Sequence, residues 1–228
     1  MTQISRREQN RIEREHRILE AAMTVFAQSG YSGAGMDAIA AEAGITKPTL
    51  YQYFESKEAL FSAMMRGFRN EMLDVFQHPS DEGMVQDLYL FAWDYADTVM
   101  RPDMLALARL IIGEVGRFPE IGRYYQEAGP DRLLQGIMTY LDSCRAAGRL
   151  EFQDAELAAE DLWGLILSAP RTHALYKPDL VPPRADLARF IHNGLRVFLR
   201  AYSTRPADDL TQLEKLTRLP PPASTGDA

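Results

Sequence analysis

Gly44-Ile45-Thr46-Lys47-Pro48-Thr49-Leu50-Tyr51-Gln52-Tyr53-Phe54-Glu55-Ser56-Lys57 decides the fold of this chain. It spells a tight turn followed by a short helix. Gly44 can take the positive φ that a sharp helix exit requires. Thr46 offers a hydroxyl cap, and Pro48 suits a first helical turn, where its missing N–H costs no hydrogen bond. Leu50 and Phe54, four apart, turn to one inner face, which leaves Lys47, Thr49, Tyr51, Gln52 and Tyr53 outward or sideways. Just upstream, Met36 to Ala43 predicts another short helix with Ile39 and Ala43 inside. Two short helices joined by a glycine turn, the second presenting polar groups from its N-terminal end, is the geometry of a major-groove reader.

Helical periodicity continues on both sides. The spacing predicts helix 1 from about Arg7 to Ser29, with Ile18, Ala22, Val25 and Phe26 as its stripe. Ser56 is the expected cap of a helix running to His78-Pro79. Further helices follow Asp81, cover Met104 to Ile112, and run from Pro130 to Ala147. Asp154 is the expected cap of the next, which Pro170 should bend or end. A last helix spans Arg184 to Tyr202, and from Ser203 the Pro-, Thr- and Asp-rich sequence reads as a partly disordered tail. The expectation is an all-α chain with a helix-turn-helix domain over 1–57, a helical body over 58–203 and a tail over 204–228.

Composition bounds the rest. The 228 residues are 46% hydrophobic, enough for a sizeable core. Cys144 is the single cysteine, so no internal disulfide forms, and no Cys/His spacing suits zinc. The N-terminal MTQISRREQNR lacks an apolar signal region, and a cytoplasmic location is expected. The net charge of −7 argues at first against a nucleic-acid partner, but residues 1–57 hold seven basic and seven acidic side chains. Residues 1–17 carry five arginines against three glutamates. A basic arm on a neutral reader, joined to an acidic body, fits local phosphate contact; a salt-bridged face, with Glu13 four residues from Arg17, accounts for the arginines equally well. Catalytic motifs are missing: GxSxG, P-loop and HExxH are not found, the four histidines are scattered singles, and no enzyme activity, cofactor or metal is implied.

Three successive segments carry a family resemblance: Ile18 to Tyr31 (ILEAAMTVFAQSGY), Asp37 to Gly44 (DAIAAEAG) and Tyr51 to Leu60 (YQYFESKEAL). Together they resemble the DNA-binding domain of the TetR family of transcriptional regulators. A fainter resemblance, to AefR-like C-terminal domains of that family, rests on Gly116 to Ile121, Glu127 to Pro130 and Gly148 to Leu150. The resemblance implies a ligand-responsive repressor, acting as a homodimer on a palindromic DNA operator through helix 3. An activator on the same fold, or a helical binding protein with vestigial heads, are the rival readings.

Chemistry selects residues within that frame. Lys47 can donate to guanine O6 and N7, the ring of Pro48 can meet a thymine methyl, and the hydroxyls of Thr49 and Tyr51 serve either kind of base edge. Thr46, Tyr53 and Lys57 are phosphate candidates, which hold register without reading sequence. Helix 2 departs from the family pattern. Ala34-Gly35 stands where a hydroxyl usually caps the helix and meets a phosphate, and Asp37 stands where a cation would help. Asp37 either favours the positive helix end or accepts from cytosine N4. Met65, Phe68, Trp93, Met104, Arg109, Tyr125 and Trp163 are candidates for an apolar or amphipathic effector pocket, although any one of them reads equally as core. Leu162, Ile166, Leu187, Ile191, Leu195 and Phe198 form apolar stripes on the last two long helices. The resemblance makes them a dimer face, while intrachain packing uses the same stripes.

Overall fold

The structure is a computed structural model that describes residues 5–77, 80 and 83–222; within its helices, the side chains of residues 67–75, 77, 128 and 168 are not described. Among the described residues the chain is all-α. Its helices are α1 (Arg6–Gly33), α2 (Met36–Glu42), α3 (Lys47–Tyr53), α4 (Lys57–Gln77), α5 (Met84–Val99), α6 (Pro102–Glu114), α7 (Pro119–Ala128), α8 (Pro130–Ala146), α9 (Ala155–Tyr176), α10 (Arg184–Tyr202) and α11 (Pro206–Thr217). The predicted caps are in place. Ser56 Oγ accepts from the Ala59 N–H at 3.1 Å, and Asp154 Oδ1 accepts from the N–H groups of Glu156 and Leu157 at 2.9 and 3.2 Å. Each satisfies a helix-start donor that would otherwise lack a partner.

Packing divides the chain into two compact units, with limits other than the sequence-read boundary at residue 57. The first comprises Met1–Gly67 and Ala106–Gly129, so the start of α4, most of α6 and all of α7 belong with the N-terminal helices. Its buried residues include Ile18, Phe26, Ile39, Leu50, Leu60, Phe61, Leu107 and Ile121. At its centre Phe26 stacks on Tyr31 with ring centroids 5.6 Å apart, and Phe61 meets both rings edge-on at 5.6 and 5.5 Å.

The second unit comprises Phe68–Leu105 and Pro130–Ala228. Trp93, Phe91, Leu88, Ile137, Leu162, Ile191 and Phe198 lie in one continuous core. Phe76 stacks between Phe91 and Tyr140 at 4.7 and 4.2 Å. Asp87 is buried but not stranded, since it accepts from the Tyr140 hydroxyl and the Ser80 N–H, both at 2.7 Å. That bond, together with burial, pushes the Tyr140 phenol well above its ordinary value, burial being the larger cause.

One expectation needs correction here and another is narrowed. The segment read as a tail holds α11, which packs on α10 and α5. Pro206 begins it, Asp208 and Asp209 lie in its first turn, and Leu213 is buried. Asp209 is buried too, taking Arg149 Nη2 at 2.9 Å and the Ser203 hydroxyl at 2.6 Å. Residues 223–228 lie outside the described residues. Of the two outcomes expected at Pro170, a bend or an end, the end does not occur, for α9 runs through it to Tyr176. Extensive packing against α10 outweighs the single backbone bond that Pro170 cannot make.

The α9–α10 contact is close because of Gly194. A Cβ at this position would stand 2.4 Å from the Leu165 carbonyl oxygen and 2.7 Å from its carbon. Gly194→Ala is therefore expected to destabilise the protein. Overpacking against backbone costs about 1–3 kcal/mol, more than the helix propensity of alanine, at most about 1 kcal/mol, returns. A fall in Tm of several degrees in thermal unfolding checks this, and an unchanged or raised Tm contradicts the close contact.

Candidate nucleic-acid interface

The turn between α2 and α3 is built entirely from backbone geometry. Gly44 has φ 66°. The Gly44 N–H donates to the Ala41 carbonyl at 3.1 Å, and the Ile45 N–H reaches back to the Ala40 carbonyl at 3.0 Å. This pair of bonds is a Schellman ending, which satisfies the last carbonyls of α2 and reverses the chain within two residues. Thr46 then caps α3: its Oγ1 accepts from the Thr49 N–H at 3.3 Å. Leu50 and Phe54 are buried, as their spacing predicted.

The same anchoring sets what the outer face offers. Thr46, Lys47, Pro48, Tyr51 and Gln52 are exposed, whereas Thr49, Tyr53 and Lys57 are half-buried. Tyr51 is 44% exposed and has no described ring partner. The hydroxyls of Thr46 and Thr49 lie 2.8 Å apart and share a hydrogen bond, so they act as a pair. α2 begins at Gly35 without a side-chain cap, in keeping with the missing hydroxyl at that position.

Two contacts were not legible beforehand. Lys47 Nζ lies 2.8 and 3.1 Å from the two carboxylate oxygens of Asp37, tying the first turn of α3 to the first turn of α2. The bond to Asp37 also holds the Lys47 ammonium above its ordinary pKa. Both side chains are exposed, so the pair contributes little to stability and exchanges readily for another partner. Lys57 is more firmly held: its Nζ donates to the Tyr31 carbonyl at 2.7 Å and stands 4.4 Å over the Tyr31 ring. The Tyr31 hydroxyl in turn donates to Glu58 at 3.3 Å. Lys57 thus ties α1 to α4 and has only its remaining donors for a phosphate. Ion pairs and ties of this kind join residues distant in sequence, and no local pattern announces them.

The residues expected to form an effector pocket are not brought together in one unit. Met65, Arg109 and Tyr125 belong to the first unit, while Trp93, Met104 and Trp163 belong to the second. The side chain of Phe68 is outside the described residues. Trp93 is fully buried, with the Arg184 guanidinium 4.4 Å over its ring; Trp163 meets Tyr95 edge-on at 6.2 Å. A cleft of about 510 Å³ in the second unit is lined by Pro170, His173, Leu180, Pro182, Ala185, Asp186, Arg189 and Phe190, none of which was expected there.

The six residues expected at a dimer face take the intrachain packing that the same stripes allowed. Leu162, Ile166, Leu187, Ile191, Leu195 and Phe198 are all buried in the second unit's own core. An apolar stripe shows that a face is covered, and here the same chain covers it. The apolar residues that α9 and α10 leave outside are different ones, among them Leu165 at 37% and Val197 at 38% exposure.

Comparison with known proteins agrees with this geometry. The model for bacterial regulatory proteins of the tetR family matches residues 18–64, and that for the C-terminal domain of AefR-like transcriptional repressors matches residues 86–204. The transcriptional activator FasR of Mycolicibacterium smegmatis is 50% identical over 56 residues, 25% of this chain and 26% of FasR. This chain therefore aligns with only about a quarter of the length of that curated relative. Solved structures extend the likeness. A putative TetR-family regulator from Mesorhizobium loti superposes with TM-score 0.71 at 28% identity, covering 85% of this chain and 98% of its own. The flavonoid-responsive regulator FrrA does so with TM-score 0.63 at 31% identity and the same coverage of each chain. With its helix-turn-helix head and its AefR-like C-terminal part, the chain belongs to the TetR family of bacterial transcriptional regulators.

Proposed function

We propose that this regulator is a ligand-responsive repressor that binds a palindromic operator as a homodimer. The observation that carries the reading is the presentation of α3: a hydrogen-bonded turn and a threonine cap precede Lys47, Pro48 and Tyr51, all exposed along one short helix. Lys47, Pro48, Thr49 and Tyr51 read base edges, with Lys47 leaving Asp37 for a guanine. Thr46, Tyr53 and the free donors of Lys57 meet phosphates. Asp37 places a carboxylate beside the helix that reads DNA, so α2 adds less to affinity than a cation there would.

The partner is a second copy of the chain, seated on the outer faces of α9 and α10 around Leu165 and Val197. Leu165 lies beside Gly194, and Val197 follows one turn along α10. A two-fold pair presents two heads to half-sites about 34–36 Å apart. The effector is a small apolar or amphipathic molecule, in keeping with the flavonoid response named for FrrA. It acts by binding the DNA-released conformer better than the DNA-bound one. FasR is named an activator, but its identity with this chain spans 56 residues, and a shared head does not set the sign of regulation.

Lys47→Ala and Tyr51→Ala are each expected to cost about 1–3 kcal/mol of preference for the operator, roughly a 5- to 150-fold loss of discrimination against scrambled duplex. Fluorescence anisotropy measures this, with far-UV circular dichroism unchanged. Wild-type discrimination in both variants would contradict the assignment of α3. Leu165→Asp combined with Val197→Asp should give a folded monomer in sedimentation, where Leu195→Asp should unfold the second unit. A dimer that persists in the double variant places the interface elsewhere.

A further inference from the structure

The N-terminal part of α1 stands beyond its own core. The helix begins at Arg6, capped by the Ser5 hydroxyl, yet its first buried residue is Ile18. The stretch Arg6–Arg17 therefore extends for about 18 Å at 1.5 Å per residue. Arg6, Arg7, Arg11, Arg14 and Arg17 are all exposed. At about 100° per residue these five arginines fall within an arc of roughly 140°, and Glu8, Glu13, Glu15 and Glu20 all fall outside it. Two of the glutamates are occupied locally: Gln9 donates to Glu13 at 3.2 Å and His16 faces Glu20 at 3.4 Å. Among the described residues no carboxylate pairs with the five arginines, and the Glu13–Arg17 bridge open to the sequence is not formed. Ile18 and Val25, which are buried in the first unit, share the arginine azimuth. The arginine face thus continues the inward side of α1, which packs on α2.

Five like charges on one arc, with Glu8, Glu13 and Glu15 beside it and not paired to them among the described residues, repel one another and are retained at a cost unless a polyanion meets them. Ile12 is the only large apolar residue between Arg6 and Arg17, so this helix has no apolar face to enter a lipid surface. We propose that Arg6–Arg17 is a second DNA-binding element, which lays its arginine face along the phosphate backbone flanking the half-site read by α3. It supplies affinity and salt dependence, not base choice. This inference rests on the DNA reading of the head.

The test uses the full chain and a duplex that the wild-type protein selects from a random library. Two versions are made, one trimmed to the palindromic core and one with long flanks. Anisotropy is read across a salt series for wild type and for Arg7→Gln/Arg11→Gln/Arg14→Gln, which keeps helix-forming side chains. On the flanked duplex the triple variant should bind about tenfold or more weakly at low salt, with a log–log salt slope shallower by about 2 or more, near 0.9 for each phosphate it no longer neutralises. Its preference for the selected over the scrambled sequence should stay as in wild type, and on the trimmed duplex the two proteins should converge. Equal affinity and slope for variant and wild type on the flanked duplex would overturn the proposal while leaving the head's assignment standing. The same result, with wild type alone captured by anionic phosphatidylserine vesicles, would overturn it in favour of a membrane role. Selection that enriches no sequence would remove the DNA reading itself, and the arm's role with it.

Discussion

Tyr31 is the residue on which the head depends. It follows Gly30, where α1 takes φ 69° and kinks. Its ring stacks on Phe26 and meets Phe61 edge-on, its hydroxyl reaches Glu58, and its carbonyl takes the Lys57 ammonium. These contacts join the exit of α1 to the entry of α4, and so they fix both ends of the segment that contains α2 and α3. That segment cannot hold itself: two seven-residue helices are far too short to be stable alone. Their few buried residues, Ile39, Ala40, Leu50 and Phe54, stabilise them only on a platform that is already set. The reader is therefore positioned by the core beneath it, and recognition of base edges at hydrogen-bond distance requires such positioning. Burial, with the nearby Glu58, pushes the Tyr31 phenol well above its ordinary value.

The second unit follows a different rule. It holds a close backbone approach at Gly194 and two buried acids, Asp87 satisfied by Tyr140 and Ser80 and Asp209 by Arg149 and Ser203. A unit this well packed spends its apolar stripes on itself. What remains outside on α9 and α10 is a smaller set, Leu165 and Val197 among them, and that set is available to a partner.

The head was legible in the sequence because its signals are local. Gly44, Thr46 and Pro48 each act on the next few residues, and Leu50 and Phe54 share a face by spacing alone. The remainder was hidden for physical reasons. The Asp37–Lys47 pair and the tie of Lys57 to Tyr31 are tertiary contacts between residues that no period connects. α11 was read as a tail because Pro, Thr and Asp dominate its surroundings, although Leu210, Leu213 and Leu216 recur every three residues within it. At Pro170 the local rule allowed a bend or an end, and packing against α10 carries the helix on. The stripe of α10 was correctly apolar, but a period reports that a face is buried and does not name what buries it. The arginines of α1 differ again: their arc exists only once the helix is known to begin at Arg6 and to stay exposed as far as Arg17.

The central claim is that this chain reads a two-fold symmetric DNA sequence. Selection of duplexes from a random library by the purified protein, followed by sequencing, tests it most directly. The account predicts one enriched motif made of two inverted half-sites, centred about 10 base pairs or a multiple of that apart. A pool without enrichment, or an enriched motif lacking two-fold symmetry, would contradict it.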